Sequence, residues 1–513
     1  MFSTILSGGI FGVQSYLVQV EVDMSQGLPC FAMVGNLGGE VKESGERVRT
    51  ALKNKGIHLP PMHIAVNVSP ANMRKEGTGY DLPIAAALLV SLGKISAKAV
   101  ENTLFLGELG LNGEVKPVKG VLPIARHAKE AGIGCCIVPQ KNTGEAGTVQ
   151  GMKVIGVSDL QQMMEYLQEQ KEITPVTVSV DRLLSDSKTG ESADFEEVAG
   201  QDGLKRASVL AAAGFHNLLL VGPPGSGKTM IAKRIPGILP PLSVEECLEV
   251  SSVYSVAGLL KEEQSLITQR PFLSPHHTIS PQALTGGGKI PRPGVVSLSH
   301  RGVLFLDELP EFKRQTLDAL RQPIEDKKVQ IARSSGSFVY PADFMLVAAM
   351  NPCPCGYYPD RNKCRCTPFE RHQYLSHISG PILDRIDICV QAPKVEISQL
   401  QNRKKGMSSQ SMRSKVMAAR ERQKHRYEDS IISFNGELNV RDVEKYCKLG
   451  TKEQTMLVHM FQTMDLSARA YHRLIKTART IADVEECEAI NEYHLSEAAC
   501  FFGGTKGGVF HET

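Results

Sequence analysis

The stretch with the clearest chemical meaning is GPPGSGKT at residues 222–229, which matches the pattern G-x-x-x-x-G-K-[ST]. An apolar segment at Leu218–Val221 precedes it, and a predicted helix begins at Lys228. Glycines let backbone N–H groups wrap a phosphate, and the first N–H groups of the helix point at the anion. Lys228 is expected to reach the β- and γ-phosphates of a nucleotide, and Thr229 to hold Mg²⁺. The predicted phosphate-binding residues are Gly222, Pro223, Pro224, Gly225, Ser226, Gly227, Lys228 and Thr229.

A second apolar strand, Val303–Leu306 in GVLFLDELPEF, ends in the acids Asp307 and Glu308. A phosphate-binding loop of this kind requires such a strand. Asp307 is expected to act on Mg²⁺ through its coordination shell. Glu308 is placed to polarise the water that attacks the γ-phosphate.

A third apolar strand, in FMLVAAMNP, ends at Asn351, whose neutral amide can orient water near the γ-phosphate. Two arginines are further candidates, because the guanidinium is a planar and permanently charged fork. Arg385, in GPILDRIDI, is interpreted as a finger offered to the nucleotide of a neighbouring subunit. Arg469, in LSARAYHRLIKTARTIADV, lies in a helical region, and whether it acts in cis or in trans stays open. A surface ion pair is the alternative for either arginine taken alone.

Four cysteines lie in NPCPCGYYPDRNKCRCTP, residues 351–368, and we call this segment the Cys loop. Their spacing is C-x-C, eight residues, C-x-C, which is tighter than the usual C-x₂₋₄-C pairs of structural zinc sites. Zinc held by all four sulfurs is the favoured interpretation, with unmetallated thiols and a redox pair as alternatives. Zinc would staple the loop between the Asn351 strand and Arg385, so its loss is expected to leave the phosphate-binding loop untouched and to lower hydrolysis more than nucleotide binding. The predicted ligands are Cys353, Cys355, Cys364 and Cys366.

The composition is that of a globular chain, with 513 residues, 42% hydrophobic and 22% charged, long enough for about three domains. No run of about 18 apolar residues is present, so no membrane span is expected. The first residues lack a basic segment before an apolar one, which predicts no signal peptide. The other cysteines are scattered, which suits the reducing cytoplasm. The net charge of +3 neither favours nor excludes a nucleic-acid partner.

Helical and strand periodicity divide the chain into six parts. Residues 1–173 mix strands and helices, 195–392 form a second α/β pattern, and 437–502 are helical throughout. Polar residues 174–194 are interpreted as a linker, 393–436 as a basic connecting segment that is partly helical from Ser411, and 503–513 as a tail.

The order of these motifs resembles an AAA+ ATPase. The stretch GVLFLDELPEFKRQTLDALRQPIEDKKVQIARSSGSFVYPADFMLVAAMNPCPCGYYPD resembles the YifB/ComM family of magnesium-chelatase-like AAA+ proteins, and the likeness extends along essentially the whole chain. It implies a homohexamer that uses ATP and Mg²⁺ to drive a motor on single-stranded or branched DNA. ComM members are associated with branch migration in DNA uptake and recombination, so competence or recombination proteins are implied partners. The segment DFEEVAGQ, residues 194–201, resembles the family's entry to the ATPase domain.

The expected fold is therefore multidomain α/β, with a central AAA+ P-loop core and a C-terminal helical lid. The N-terminal part resembles the Lon-protease-like (S5-like) α+β domain in RKEGTGYDLPIAAALL and GELGLNGEVKPVKGVLPIARHAK. A Lon-type peptidase needs a serine and a lysine, but this chain has the residues GTGYD at 77–81 and Leu122 at those places. The fold without the peptidase is expected. A disguised dyad of Thr78 and Lys119 is the minor alternative.

Two insertions in the core suit a DNA motor. SPHHTISPQALTGGGKIPRPGVVSLSH suggests a projecting loop in the second helix, and DKKVQIARSSGSFVYPADF predicts a hairpin. Such loops line the pore in related rings, or they are solvated loops used for subunit packing. A magnesium-chelatase-type ATPase that remodels a protein partner is the alternative function; metal insertion into a porphyrin is disfavoured because no integrin-like domain is evident. Basic residues that could meet phosphates are Lys289, Arg292, Lys327, Lys328 and Arg333.

Overall fold

The computed structural model of the chain describes residues 1–186, 193–333, 336–360, 362–394, 406–464 and 466–503. Parts of six predicted segments lie outside these ranges. They are residues 187–192 of the linker, the hairpin turn at 334–335, residue 361 of the Cys loop, residues 395–405 of the connecting segment, residue 465 of the predicted lid and the tail from 504 onwards.

The elements from Phe2 to Leu167, which we call the N-terminal domain, are built on a seven-stranded mixed sheet with the order β3-β4-β2-β1-β5-β8-β9. β1 and β2 pair antiparallel from Phe2 opposite Asp23 to Phe11 opposite Gln14. The strands are β1 (Phe2–Phe11), β2 (Gln14–Ser25), β3 (Cys30–Val34), β4 (His63–Ser69), β5 (Thr103–Phe105), β8 (Cys135–Pro139) and β9 (Lys153–Val157), with a separate ribbon of β6 (Glu108–Leu109) and β7 (Val115–Lys116).

Hydrophobic clusters cover both faces of this sheet. Leu104 and Phe105 are neighbours in β5 but belong to different clusters, because successive strand residues point to opposite faces. The helix Asp81–Ser91 is buried almost all round, which explains its apolar sequence DLPIAAALLVS. The helices are Gly39–Lys42, Ser44–Asn54, Asp81–Ser91, Val121–Glu130, Thr143–Ala146 and Leu160–Leu167, with 3-10 turns at Ala97–Val100 and Gln140–Asn142.

The core that follows is a five-stranded sheet with the order β11-β14-β17-β10-β18, and every neighbouring pair in it is parallel. β10 and β14 are buried at all four positions, which explains their uninterrupted apolar sequences. Because the strands are parallel, the predicted site residues that follow β10, β14 and β17 share one edge of the sheet. The strands are β10 (Leu218–Val221), β11 (Phe272–Leu273), β14 (Val303–Leu306), β17 (Met345–Met350) and β18 (Ile388–Gln391).

Helices lie along and between these strands. The helix after β10 begins at Lys228, as its sequence predicts. The helices of the core are Asp202–Gly214, Lys228–Ile238, Val244–Ala257, Pro281–Thr285, Val295–Leu298, Arg314–Asp318, Arg321–Asp326, Pro368–Ser376 and Gly380–Leu383, with 3-10 turns at Phe195–Glu197 and Leu309–Glu311.

Both predicted insertions contain antiparallel strand pairs. The first hairpin, β12 (Gly286–Gly287) with β13 (Arg292–Pro293), lies between two short helices. The second hairpin, β15 (Lys328–Arg333) with β16 (Gly336–Pro341), buries Val329, Ile331 and Tyr340. Its Phe338 ring stacks on Phe11 of the N-terminal domain with ring centroids 4.3 Å apart. One face of this hairpin is therefore occupied by the protein's own N-terminal domain.

The C-terminal part consists of helices and shares one hydrophobic cluster with the core. That cluster runs from Phe195 to Phe502, so the helices are packed onto the sheet and not merely tethered to it. The predicted helix from Ser411 begins two residues earlier, at Ser409. The helices are Ser409–Arg426, Val440–Tyr446, Thr451–Thr463, Ala468–Val484 and Glu492–Gly503, with a 3-10 turn at Asn435–Glu437.

The predicted linker contains a helix that its polar sequence did not predict. Val180–Asp186 is helical, and Val180 packs in a small cluster with Leu242, Cys247 and Leu266. Seven residues span barely two turns, too few to display helical periodicity, so packing on the core is what stabilises the helix. Within the described ranges, no helix is both long and apolar enough to cross a membrane.

Candidate functional site

The turn between β10 and the helix Lys228–Ile238 requires its glycines. Gly225 and Gly227 have φ values of 75° and 86°, in the left-handed region that favours glycine. At Gly222, a Cβ would lie 2.6 Å from the Cβ and the carbonyl oxygen of Ala392, so no other side chain fits there without movement. The glycine pattern therefore reflects both the turn geometry and a close approach of β10 to the chain after β18.

The Lys228 ammonium lies within the turn. It donates to the carbonyl oxygens of Gly222 and Pro223, at 2.7 and 3.0 Å, and to Asn351 Oδ1 at 3.2 Å. Burial lowers the pKa of Lys228, and the nearby negative charge of Asp307 opposes that shift. Lys228 and Asn351, each predicted to act near the γ-phosphate, therefore lie together at the ends of the neighbouring strands β10 and β17.

Thr229 and Asp307 are in direct contact. The Thr229 hydroxyl donates to Asp307 Oδ2 at 2.8 Å, and the backbone N–H of Glu308 donates to Asp307 Oδ1 at 3.0 Å. A hydroxyl and a carboxylate are hard oxygen donors of the kind that Mg²⁺ prefers. These two residues would hold the ion, directly or through its water shell.

Glu308 differs from its neighbours in conformation and in contacts. Its φ of 52° lies in the left-handed region, which is uncommon for a residue other than glycine and recurs at functional sites. Its carboxylate is exposed, and Oε2 lies 3.7 Å from Nδ1 of His277. The carboxylate therefore faces the insertion between β11 and β14.

The two candidate arginines occupy different settings. Arg385 follows the helix Gly380–Leu383, as predicted, but its side chain forms an ion pair with Glu325 and donates to the Pro381 carbonyl at 2.6 Å. Arg469 is exposed in the first turn of the helix Ala468–Val484. Neither the ion pair nor the hydrogen bond of Arg385 involves a residue of the phosphate-binding loop.

Arg473, one turn after Arg469, is a residue that the sequence reasoning missed. It is buried and donates to the carbonyl oxygens of Ile386 and Leu383, the latter at 3.1 Å. It therefore ties the C-terminal helix to the segment that carries Arg385. Its position on the buried face of an amphipathic helix was the available signal.

Gln201 was also missed as an individual residue, although it lies in the quoted segment DFEEVAGQ. Its side-chain amide donates to the carbonyl oxygens of Ser226 and Pro393, at 3.1 and 2.7 Å. It joins the start of the core to the phosphate-binding loop and to the chain after β18. No spacing rule marks such a contact, because the three segments are far apart in sequence.

The four cysteines of the Cys loop form one cluster. Their ligand atoms all lie within 4.8 Å of one another, and three measured S···S distances are 3.4, 3.6 and 3.7 Å. Tetrahedral zinc with Zn–S bonds of about 2.3 Å requires S···S distances of roughly 3.8 Å. The cluster therefore fits a Cys₄ zinc site, and all four residues would be its ligands.

One contact of the Cys loop bears on the expectation that loss of its metal would leave the phosphate-binding loop untouched. The loop touches the phosphate-binding loop, because a Cβ at Gly356 would lie only 2.5 Å from Cδ of Pro224. Gly356 also has a φ of 82°, so the contact depends on glycine in two ways. A metal in this loop would support the phosphate-binding loop as well as the strand that ends at Asn351.

Lys327 also differs from its expected role. It ends the helix Arg321–Asp326 and forms a 2.6 Å ion pair with Asp343. Its charge is therefore largely committed within the chain. Lys289, Arg292, Lys328 and Arg333 remain exposed on the two hairpins.

The suspected dyad of Thr78 and Lys119 is not formed. The Thr78 hydroxyl donates to the Glu108 carboxylate, while the Lys119 side chain lies against Gly258 of the core. Both residues line a cavity of about 450 Å³, which is also lined by Arg292 and Phe338 of the hairpins. The Thr78 hydroxyl therefore has the Glu108 carboxylate, and not the Lys119 ammonium, as its partner.

Three family models of magnesium chelatase match successive parts of the chain. "Subunit ChlI of Mg-chelatase" matches residues 20–142, "Magnesium chelatase, subunit ChlI" residues 194–400, and "Magnesium chelatase, subunit ChlI C-terminal" residues 406–501. The parallel sheet with its phosphate-binding loop lies within the second match.

Two relatives that match over nearly their full length support the same family assignment. Protein YifB of Salmonella typhimurium is 42% identical over 493 residues, 96% of this chain and 95% of that protein. Competence protein ComM of Haemophilus influenzae is 40% identical over 497 residues, 96% of each chain. Lon protease 2 of Bacillus subtilis is 30% identical over 126 residues, 24% of this chain and 22% of that protein. With two relatives matched from end to end and with site residues in the expected order, the chain belongs to the YifB/ComM family of magnesium-chelatase-like proteins.

Proposed function

We propose that this protein is an AAA+ ATPase that assembles into a ring and moves DNA. The observation that carries the ATPase proposal is the meeting of Lys228, Thr229, Asp307 and Asn351 at the carboxyl edge of one parallel sheet. Each contact joins residues that follow different strands, so the arrangement is a property of the fold and not of one motif. The magnesium-chelatase family match supports the same activity.

Each residue then has a defined task in hydrolysis. The backbone of residues 222–229 and the Lys228 ammonium bind the phosphates, and Thr229 with Asp307 holds Mg²⁺, which neutralises charge on the transferring group. Asn351 orients water at the γ-phosphate. Glu308 accepts a proton from that water as it attacks.

The position of Arg385 and membership of the family support the assembly of a ring. An arginine finger needs a neighbouring subunit to complete each site, and Arg385 is half-buried and held by Glu325 in a single chain. When a neighbouring subunit docks, Arg385 would leave the Glu325 carboxylate and contact a phosphate of that subunit's nucleotide. The C-terminal helices would act as the lid that transmits nucleotide state, with Arg469 at the site and Arg473 as its link to Arg385.

DNA is proposed as the substrate of the motor because of the hairpins. Lys289, Arg292, Lys328 and Arg333 are exposed on two hairpins that contact each other through Arg333 Nε and the Gly288 carbonyl, 3.3 Å apart. Among the residues that the structure describes, none forms an ion pair with these four cations, and such grouped cations suit phosphate contacts, which are independent of base sequence. A relative named as a competence protein supports a role in DNA uptake or recombination.

The Cys loop is proposed to bind one zinc ion as a structural element, because four sulfurs leave no open coordination position. The N-terminal domain is proposed to retain the Lon-like fold without peptidase activity. It would position the hairpins, since Phe11 stacks on Phe338.

The test of the DNA motor is an ATPase assay of the purified protein with single-stranded, duplex and branched DNA. DNA should stimulate turnover, and binding should weaken steeply with salt. Replacing Lys289, Arg292, Lys328 and Arg333 together by alanine should remove the stimulation. A charge-matched control replaces the exposed lysines 53, 94, 98 and 171 of the N-terminal domain and should keep it. Stimulation by a protein partner but by no DNA would contradict the proposal.

A further inference from the structure

Asn217 lies at the end of β10 that is opposite to the phosphate-binding loop, and it joins three strands. β10 pairs parallel with β17 on one side and with β18 on the other. Asn217, the residue before β10, therefore lies between the beginnings of its two neighbours. Its Oδ1 accepts from the Leu346 N–H at 2.8 Å, and its backbone N–H donates to Asp387 Oδ2 at 3.1 Å. Its carbonyl oxygen accepts from the N–H groups of Asp387 and Ile388, both at 3.0 Å.

The remaining polar group of Asn217 reaches the candidate finger. Its Nδ2 donates to the backbone carbonyl oxygen of Arg385 at 2.8 Å. The two partners fix the orientation of the amide, because the Leu346 N–H can only donate and the Arg385 carbonyl can only accept. An ionised aspartate has the same size but offers acceptors alone. The position therefore uses both halves of the asparagine side chain.

Arg385 lies in a short connection between two elements of the core. The preceding helix ends at Leu383, and β18 begins three residues after Arg385. Arg473 of the C-terminal helices donates to the carbonyl oxygens on either side, those of Leu383 and Ile386. The Arg385 carbonyl between them is held by Asn217. The peptide that carries the finger is thus fastened to the sheet, while its flanks are fastened to the lid.

We infer that Asn217 is a positioning residue for Arg385, which holds the finger's backbone in a fixed place relative to the sheet so that the guanidinium reaches the neighbouring subunit's nucleotide. The four residues of β10, about 13 Å of strand, separate Asn217 from its own phosphate-binding loop. Its effect is therefore directed at the neighbour's site. Placement matters, because an error of about 1 Å in a catalytic contact can lower a rate about 100-fold. The inference rests on the proposed role of Arg385 in trans.

The first test separates turnover from nucleotide binding. ATP turnover of Asn217→Ala should fall about 10- to 100-fold, because the finger is misplaced. Affinity for ATP should stay within about twofold, because the variant's own loop is intact. Asn217→Asp keeps an acceptor for the Leu346 N–H but loses the donor to Arg385, so its turnover should fall as far. Hydrogen exchange at residues 384–388 should quicken in both variants. Asn54→Ala is the matched control, since that exposed side chain also donates to a backbone carbonyl, at 2.8 Å, within the N-terminal domain.

Mixed rings then decide whether the defect lies in the finger or in the variant's own site. Asn217→Ala subunits mixed with Lys228→Ala subunits should recover hydrolysis, because the latter offer an intact finger to an intact loop. Mixed with Arg385→Ala subunits, they should gain nothing above the level of Asn217→Ala alone, because neither subunit offers a well-placed finger. The opposite pattern would place the defect at the variant's own loop and overturn the inference. Wild-type turnover of both Asn217 variants would overturn it as well.

The same mixtures distinguish this inference from the proposed function. If Arg385→Ala and Lys228→Ala subunits do not recover hydrolysis in verified mixed rings, the trans finger fails and the inference fails with it. If that mixture recovers and the mixture of Asn217→Ala with Lys228→Ala does not, the inference alone is overturned. Asn217→Asp takes the place of Asn217→Ala in these mixtures if the alanine variant does not assemble.

Discussion

At the residue scale, substitutions of Lys228 and Glu308 should separate nucleotide binding from ATP turnover. Lys228→Ala removes the ammonium that lies within the phosphate-binding loop, so ATP binding should be lost. Glu308→Gln keeps that loop and the Thr229–Asp307 contact, so binding should persist while turnover stops. Fluorescent-nucleotide titration and phosphate release measure the two effects. Near-normal hydrolysis by Glu308→Gln would remove that residue from its assigned role.

Arg385 is the second residue whose role can be isolated. Arg385→Ala subunits mixed with Lys228→Ala subunits should recover some hydrolysis, because some interfaces pair an intact loop with an intact finger. Arginine fingers contribute on the order of 10³–10⁵ in rate. Glu325→Gln, which removes the carboxylate that holds Arg385 within one chain, is expected to leave such recovery intact.

Verified mixed rings without any recovery would show that Arg385 does not act in trans. The same experiment with Arg469→Ala in place of Arg385→Ala would decide whether that arginine acts in cis or in trans.

The Cys loop is the first element whose role can be tested as a unit. The purified protein should carry about one zinc per chain, and Cys364→Ser with Cys366→Ser should release it. Because Gly356 packs on Pro224, both ATP binding and hydrolysis should weaken, and not hydrolysis alone. Elemental analysis and nucleotide titration measure these effects. Cys30→Ser with Cys500→Ser, at two exposed cysteines, is the control.

Protein prepared without chelators or oxidation that contains no metal would leave the four cysteines as packed thiols. If removal of zinc changes neither ATP binding nor ATP hydrolysis, the zinc site stabilises only the Cys loop itself.

The second hairpin is the other element with a separable role. Phe338→Ala removes the stack on Phe11 and should lower the free energy of local hairpin opening by about 1 kcal/mol. Hydrogen exchange at residues 328–341 should therefore quicken, and DNA stimulation should fall. Val339→Ala is the control, since that side chain is exposed on the opposite face of the same strand. Unchanged exchange in Phe338→Ala would mean that the N-terminal domain does not stabilise the hairpin.

At the scale of the whole molecule, the hydrophobic clusters predict which pieces fold alone. The two clusters of the N-terminal domain contain buried residues from Ile5 to Leu167 only, so a fragment of residues 1–173 should unfold cooperatively. The largest core cluster extends to Phe502, so a fragment of residues 193–394 should expose apolar surface and aggregate, whereas 193–503 should not. Circular dichroism melts and sedimentation measure this. A cooperative, monomeric 193–394 fragment would contradict it.

The sequence by itself determined the chemistry that lies in contiguous segments. Residues 222–229, the Asp307–Glu308 pair and the four cysteines were identified because local patterns encode them: glycines where the backbone needs positive φ, apolar runs for buried parallel strands, and paired thiols. The same patterns predicted the α/β core and the second hairpin, whereas the first hairpin was predicted only as a projecting loop.

Contacts between distant segments were decided only by the tertiary structure. Sheet order brings the segment after β11 to the end of β14, where His277 lies beside Glu308, and loop packing places Gly356 on Pro224. Arg385 meets Glu325, and Lys327 meets Asp343, although each was predicted to face a partner outside the chain. The physical reason is that a side chain's partner depends on which strands become neighbours and in which register. No local periodicity specifies that, because many pairings satisfy the same apolar pattern.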